Sequence, residues 1–145
     1  MNRVQQVRRI ADAKKRVRDQ SAVRLAEAER KLSAARDERI EAETSRDEGR
    51  REARARLATP VTGRDLLRME ELERLHEQNI VAHRQLESAV EKISSRVRSE
   101  LERDARNHQR LDTVRERIER EAVLTSDRLE QRVQDELAGR RKVPS

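Results

Sequence analysis

The chain has 145 residues, of which 44% are charged and 33% hydrophobic, and its formal net charge is +6. It contains no Phe, Trp or Tyr, which leaves little material for a compact core or for the apolar walls of an enclosed substrate pocket. Cysteine is absent as well, which excludes disulfides and thiolate metal sites and is typical of a reducing compartment. We therefore predict a protein that is not an enzyme and holds no cofactor.

The first predicted helix covers about residues 2–58. Asn2 can cap its start, with Gln5 three residues later as the capping-box partner. We interpret Gly49 as a place where two helices cross closely, and Arg39 and Arg46 interrupt the apolar stripe. Steps of three and four residues, typical of an amphipathic helix, connect Val4, Val7, Ile10, Val17, Leu25, Ala28, Leu32, Ala35, Ala42, Gly49, Ala53 and Leu57.

A turn is predicted at residues 59–63, because Pro60 removes a backbone donor and Gly63 tolerates turn dihedrals. The second helix is predicted over about residues 64–139, with Thr62 and Asp65 as its capping pair, an end at Gly139 and a basic tail at 140–145. Its apolar positions from Leu86 to Leu137 recur every 3.64 residues or so, which predicts a nearly straight pair of helices.

These two helices predict an all-α fold, a long antiparallel two-helix coiled-coil hairpin that forms one domain over residues 1–145. The second helix is longer than the first by about 30 Å. We expect the excess to lie near the turn, as an apolar overhang or as a short third helix. Such an exposed patch is typical of association with a partner or with a second copy. The residues concerned are Leu66, Leu67, Met69, Leu72, Leu75, Ile80 and Val81.

Basic residues concentrate at both ends of the chain. Residues 1–24 carry eight basic and two acidic side chains, and residues 138–145 carry three basic and no acidic ones. In an antiparallel hairpin with both termini at one end, these two basic segments meet and give about nine net positive charges. We expect that end to bind an acidic protein surface or cavity.

Three other kinds of site have weaker support in the sequence. Glu73 and His76 have the Glu-x-x-His spacing of di-metal bundles, but a single copy does not make a site, and we predict no metal. His108 lies in the predicted seam between the helices, where a polar residue can set the register. A nucleic-acid-binding rod would use the basic ends, but acidic residues are interleaved from Asp12 onward and no aromatic ring can stack on bases.

No apolar run approaches the length of a membrane span, so we predict a cytoplasmic protein without direct membrane insertion. A self-associating structural coiled coil, which pairs its overhang with a second copy, stays open as an alternative function. Weak self-association is also compatible with a protein that serves a different partner.

Residues 127–141, which read DRLEQRVQDELAGRR, resemble the closing signature of the type III export stalk family. This family comprises FliJ of flagella and its injectisome counterparts SctO, YscO and HrpO. The opening at residues 4–10, which reads VQQVRRI, and the turn at 59–61 with Asp65 and Leu66 look more like the injectisome branch.

The resemblance implies a coiled coil similar to the central stalk of rotary ATPases, peripherally associated with the inner-membrane export apparatus. In the family, the end with both termini enters the hexameric export ATPase, and other parts bind the export gate membrane protein and secretion chaperones. The ATPase-binding residues implied here are Arg3, Arg8, Arg9, Arg140, Arg141 and Lys142. The gate-binding residues implied are Leu72, His76, Asn79 and His83, of which only His83 matches a family residue.

Overall fold

The computed structural model describes residues 2–142 as two α-helices joined by a short turn. Helix α1 spans Arg3–Leu57 and helix α2 spans Gly63–Lys142. The described residues contain no strand, and the predicted all-α helical hairpin is confirmed. Because α2 is continuous from the turn onward, no separate third helix forms near the turn.

Both helices begin at a capping box. The side-chain oxygen of Asn2 accepts a hydrogen bond from the amide of Gln5 at 2.8 Å, and the Gln5 side chain accepts one from the Asn2 amide at 3.4 Å. The hydroxyl of Thr62 accepts from the Asp65 amide at 3.2 Å, and the Asp65 carboxylate accepts from the Thr62 amide at 3.1 Å. These pairs satisfy amides that have no partner inside the helix, and both predicted boxes are confirmed.

The turn does not use a left-handed glycine. The amide and the hydroxyl of Thr59 both donate to the Arg56 carbonyl, which closes α1. No described glycine has a positive φ, and Gly63 is the first residue of α2. The predicted helix end at Gly139 is wrong, since α2 continues to Lys142. A glycine inside a helix costs only about 1 kcal/mol, too little to end α2 there.

The contacts divide the chain into two compact units. Unit 1 comprises Met1–Ser21 with Leu101–Ser145, and unit 2 comprises Ala22–Glu100. In each unit, a segment of α1 lies antiparallel to a segment of α2. Unit 2 is held by ion pairs such as Arg50 with Glu73 at 2.6 Å, and unit 1 by the pair of Arg8 with Glu119 at 2.6 Å.

The inward positions of α2 repeat every 3.5 residues, the heptad spacing of coiled coils. The predicted spacing of 3.64 is therefore wrong. It followed apolar residues such as Leu86 and Ile93, which are exposed in the structure. Polar residues occupy seam positions instead. The inward positions are Met69, Glu73, His76, Ile80, His83, Glu87, Val90, Ser94, Val97, Leu101, Asp104, His108, Leu111, Arg115 and Ile118.

The matching seam of α1 is built mainly from small and polar side chains. Ile10, Val17 and Leu57, which the sequence pattern assigned to the seam, are exposed. Small side chains at the contact allow the two helix axes to come close, and this arrangement leaves bulkier residues on the flanks. The buried residues of α1 are Ala11, Ser21, Ala28, Ala35 and Ala42.

The unmatched part of α2 lies at its C-terminal end in unit 1, not near the turn. The short turn pairs the end of α1 directly with the start of α2, as the Arg56–Asp65 ion pair at 3.3 Å shows. Every residue from Arg120 to Arg141 is exposed. Among the residues of the predicted overhang, Ile80 is fully buried and Met69 half-buried. The others, Leu66, Leu67, Leu72, Leu75 and Val81, are exposed without extending beyond α1.

Candidate functional site

The N-terminal basic residues lie on the first turns of α1 in unit 1. Arg3, Arg8 and Arg9 are all exposed. The Arg8 guanidinium donates to the Glu119 carboxylate, and this hydrogen bond is the main reason that the pKa of Glu119 lies below its usual value. Arg8 is thus partly committed to holding α1 against α2, while Arg3 and Arg9 form no ion pair within the described residues.

The C-terminal basic residues do not meet the N-terminal ones. Because Arg8 lies opposite Glu119, Arg140 is about 20 residues, or roughly 30 Å, farther along α2. Arg140 and Arg141 are exposed, and Lys142 ends α2, its side chain lying outside the described residues. The prediction that the two basic segments form one cluster is therefore wrong. That prediction assumed that the unmatched part of α2 lies near the turn, so that the two chain ends meet at the other end of the hairpin.

Unit 1 nevertheless holds all of the net charge of the chain. It contains 18 basic and 12 acidic residues, whereas unit 2 contains 17 of each. The excess is concentrated in residues 1–21, with seven basic and two acidic residues. A field of this kind attracts an acidic surface toward unit 1 rather than toward unit 2.

Residues 123–142 of α2, which we call the terminal segment, lie level with the first two residues of α1 or beyond its start. Leu129, Val133 and Leu137 are 56%, 55% and 50% exposed. The sequence pattern placed all three in the seam. The 3.5-residue repeat of the inward positions leads from Ile118 to Leu129 and then to Arg132, so Val133 and Leu137 lie off the seam. In the register set by the Arg8–Glu119 ion pair, all three residues lie beyond Arg3, the first residue of α1. The terminal segment therefore presents an apolar stripe next to the basic residues of its last turn.

The residues of the implied gate-binding face lie on successive turns of α2 in unit 2. Leu72 and Asn79 are exposed. His76 and His83 are half-buried and face α1: the His76 ring packs on Gly49, and His83 Nδ1 lies 3.8 Å from a Glu38 carboxylate oxygen. The structure thus brings the four residues close together but leaves only Leu72 and Asn79 freely accessible.

A groove of 730 Å³ lies between α1 and α2 beside the turn. Ala53 and Leu57 line it from α1, and Leu66, Met69 and Leu72 line it from α2. The sequence analysis predicted that the α2 residues form an apolar patch near the turn, but it assigned Leu57 to the seam. The groove is bounded by the Arg50–Glu73 ion pair, and the hydrogen bond from Arg50 lowers the pKa of Glu73.

A polar layer crosses the seam of unit 1. Ser21 is completely buried and donates a hydrogen bond to Asp104, which is 6% exposed and also pairs with Arg103. One turn away, an Arg18 guanidinium nitrogen lies 3.2 Å from His108 Nδ1. Each group that is removed from water in this layer has a hydrogen-bond partner. A layer of this kind is the physical basis for a fixed register between α1 and α2.

No cluster of three His, Asp or Glu residues with metal-binding geometry occurs in residues 2–142. No helix in the same range is long and apolar enough to cross a membrane.

A family model described as "Flagellar FliJ protein" matches residues 1–143. The match includes both helices, the turn and both sets of basic residues. No curated protein and no solved structure matches the chain.

Proposed function

Because the chain belongs to the family of the flagellar FliJ protein, a component of flagellar protein export, we propose that it is the central stalk of a type III export apparatus. In this role it binds the hexameric export ATPase, promotes its assembly or activity, and couples it to the export gate membrane protein and to secretion chaperones. The match to the flagellar family favours the flagellar apparatus over an injectisome. The family match over almost the whole chain carries this proposal.

The charge distribution supports unit 1 as the part that binds the ATPase. The basic residues of α1 and those at the end of α2 lie on one unit, separated by roughly 30 Å along α2. An ATPase ring that surrounds unit 1 can contact the basic residues of α1 and those at the end of α2 at two different positions along the axis of the ring. The ATPase-binding residues proposed are Arg3, Arg8, Arg9, Arg140, Arg141 and Lys142.

The accessible residues near the turn support unit 2 as the part that binds the export gate. Leu72 and Asn79 offer direct contacts, and Leu72 also lines the groove between α1 and α2. We propose that His76 and His83 support this face from the seam, where one packs on Gly49 and the other lies near Glu38. Secretion chaperones would bind the exposed apolar residues of the same region.

Charge reversal tests the ATPase contact. The variant with Arg140→Glu and Arg141→Glu should bind a hexameric export ATPase at least tenfold more weakly, with a smaller dependence on NaCl concentration, because surface attraction is screened by salt. A matched control reverses Arg51 and Arg54, which are exposed in unit 2 and form no ion pair within the described residues. Equal loss of binding in both variants would show that the contact depends only on net charge.

Aspartate substitutions test the gate contact separately. Leu72→Asp together with Leu75→Asp places two charges on exposed apolar positions of unit 2. We expect ATPase binding to stay at the wild-type level and protein export in cells to fall. Undiminished export would refute the assignment of the gate face to this region.

A further inference from the structure

His108 contacts a guanidinium across the seam of unit 1. Its ring is half-buried, and its Nδ1 atom lies 3.2 Å from the Nη1 atom of Arg18 on α1. A guanidinium carries hydrogen-bond donors and no acceptor, so this hydrogen bond requires an Nδ1 atom that carries no proton. The His108 ring is therefore neutral in this contact, with its single ring proton on Nε2.

We propose that the contact between Arg18 and His108 is a pH-sensitive switch, which holds the start of α1 against α2 at neutral pH and releases it in mild acid. An unconstrained imidazole takes up its second proton at about pH 6.5. Once protonated, His108 has a donor on each ring nitrogen and can no longer accept from Arg18. Two positive charges then lie in contact between the helices, where partial burial strengthens their repulsion.

The other charged residues of α1 near His108 favour release of the contact. Lys14 and Lys15 lie one turn before Arg18 on the same side of α1, and their positive charges add to the repulsion. Asp19 is the acidic residue on this part of α1, and its carboxylate accepts a hydrogen bond from Arg18 at 3.0 Å. The Asp19 side chain is 58% exposed, so it offers Arg18 a partner outside the seam.

The acidic residues of α2 near His108 already have cationic partners. Asp104 and Asp112 lie one turn before and one turn after His108 on the same side of α2. Asp104 pairs with Arg103 at 3.3 Å, and Asp112 pairs with Arg115 at 2.8 Å. Neither carboxylate therefore restores the hydrogen bond that Arg18 loses when His108 takes up a proton.

The start of α1 depends strongly on this polar contact. Ala11 is the one buried residue among residues 2–18, and burial of so small a side chain contributes little free energy. When residues 3–18 separate from α2, water surrounds His108, and the ring binds the proton that the closed contact excludes. The closed form is therefore favoured above about pH 6.5 and is lost as the pH falls below it. The switch does not depend on the proposed function.

Hydrogen exchange of the full chain, without any ATPase, tests the switch. After correction for intrinsic rates, the amides of residues 7–18 should exchange about tenfold faster at pH 5.5 than at pH 7.5, because one proton binds on opening. His108→Gln keeps an acceptor for Arg18 but does not titrate, so its protection should be equal at both pH values. The matched control is His83→Gln, which alters a half-buried histidine of unit 2 and should keep the wild-type response.

Two outcomes of the exchange experiment would overturn the proposal. One is a wild-type chain whose residues 7–18 are equally protected at both pH values. The other is a His108→Gln chain that responds to acid as the wild type does. Arg18→Gln supplies a further check, because it removes the positive charge and should weaken the acid response. A full response in that variant would show that repulsion from Arg18 does not drive the release.

Nitrogen-15 NMR of the imidazole rings tests the contact itself. At pH 7.5 the His108 ring should carry its proton on Nε2 and none on Nδ1, and the His108→Gln spectrum identifies its signals by their absence. A His108 ring protonated on Nδ1 would contradict the hydrogen bond from Arg18 and overturn the proposal.

Discussion

Gly49 of α1 packs closely against the His76 ring of α2 in unit 2. A methyl group at this position would lie 3.1 Å from His76 Nε2, closer than ordinary van der Waals contact. A glycine inside a helix costs about 1 kcal/mol relative to alanine, so the packing of the His76 ring offsets a real loss in helix propensity. The sequence-based interpretation of Gly49 as a close crossing is supported by this geometry.

Gly49→Ala should therefore have opposite consequences in two backgrounds. In the wild type, the gain in helix propensity is cancelled or reversed because the His76 ring must move. In the His76→Ala background, the same change should stabilise the protein by about 1 kcal/mol. Urea unfolding of the wild type, the two single variants and the double variant gives the coupling free energy between Gly49 and His76. Equal effects in both backgrounds would mean that the ring does not restrict this position.

Because Asp65 caps the start of α2, its protonation makes the stability of the protein depend on pH. The Thr62 amide, followed by the Thr62 hydroxyl, hydrogen-bonds its carboxylate and lowers its pKa below the ordinary value of 3.8. The stabilisation is therefore complete above pH 3.8 and is lost as the pH falls through the lowered pKa. Asp65→Asn should reduce stability at pH 7 and flatten its decline in acid.

Urea unfolding between pH 7 and pH 2 measures this effect. Asp127→Asn is the matched control, because Asp127 is exposed and forms no ion pair within the described residues. The control should keep both the stability and the acid dependence of the wild type. An Asp65→Asn profile that parallels the wild type at every pH would contradict the role of the capping box.

The seam of unit 1 contains a buried polar pair, Ser21 and Asp104. Ser21→Ala removes the hydroxyl that donates to the buried Asp104 carboxylate. We expect a loss of about 1–3 kcal/mol, because a buried acceptor is left with fewer partners. The double variant with Asp104→Ala should lose less than the sum of the two single changes. Strict additivity in urea unfolding would show that the two side chains do not act together.

The terminal segment should contribute little to the stability of the rest of unit 1. Almost all of its residues lie beyond the start of α1, so deletion of residues 123–145 should lower the helical circular dichroism signal while the thermal midpoint of the remaining chain stays within about 2 °C. A midpoint lower by 10 °C or more would mean that the segment packs within the chain.

The elements that local chemistry determines could be predicted from the sequence, and the pairing between them could not. Pro60 and the two capping boxes identify the turn and both helix starts within a few residues. A search for apolar periodicity does not detect heptad positions that are occupied by polar residues such as Ser94 and Asp104. That search followed Leu86 and Ile93 instead, and so it returned the wrong repeat length.

At the scale of the whole molecule, the candidate site likewise has one feature that the sequence predicts and one that depends on how the helices pair. The excess of basic residues near both chain ends is evident from composition, and it identifies unit 1 as the positively charged unit. Whether the two basic sets meet depends on which end of α2 is unmatched, and that depends on the tightness of a five-residue turn. The family match assigns the chain to flagellar export, and the role of each basic residue stays a prediction.

ATP hydrolysis by the export ATPase from the same genome, measured with and without this chain, tests the stalk role most directly. If the chain is the central stalk, one chain per six ATPase subunits should suffice to stimulate hydrolysis and promote hexamer formation. The chain with Arg140→Glu and Arg141→Glu should stimulate less, and the Arg51 and Arg54 control should match the wild type. An ATPase whose turnover and assembly state are the same with and without an equimolar amount of the chain would contradict the account.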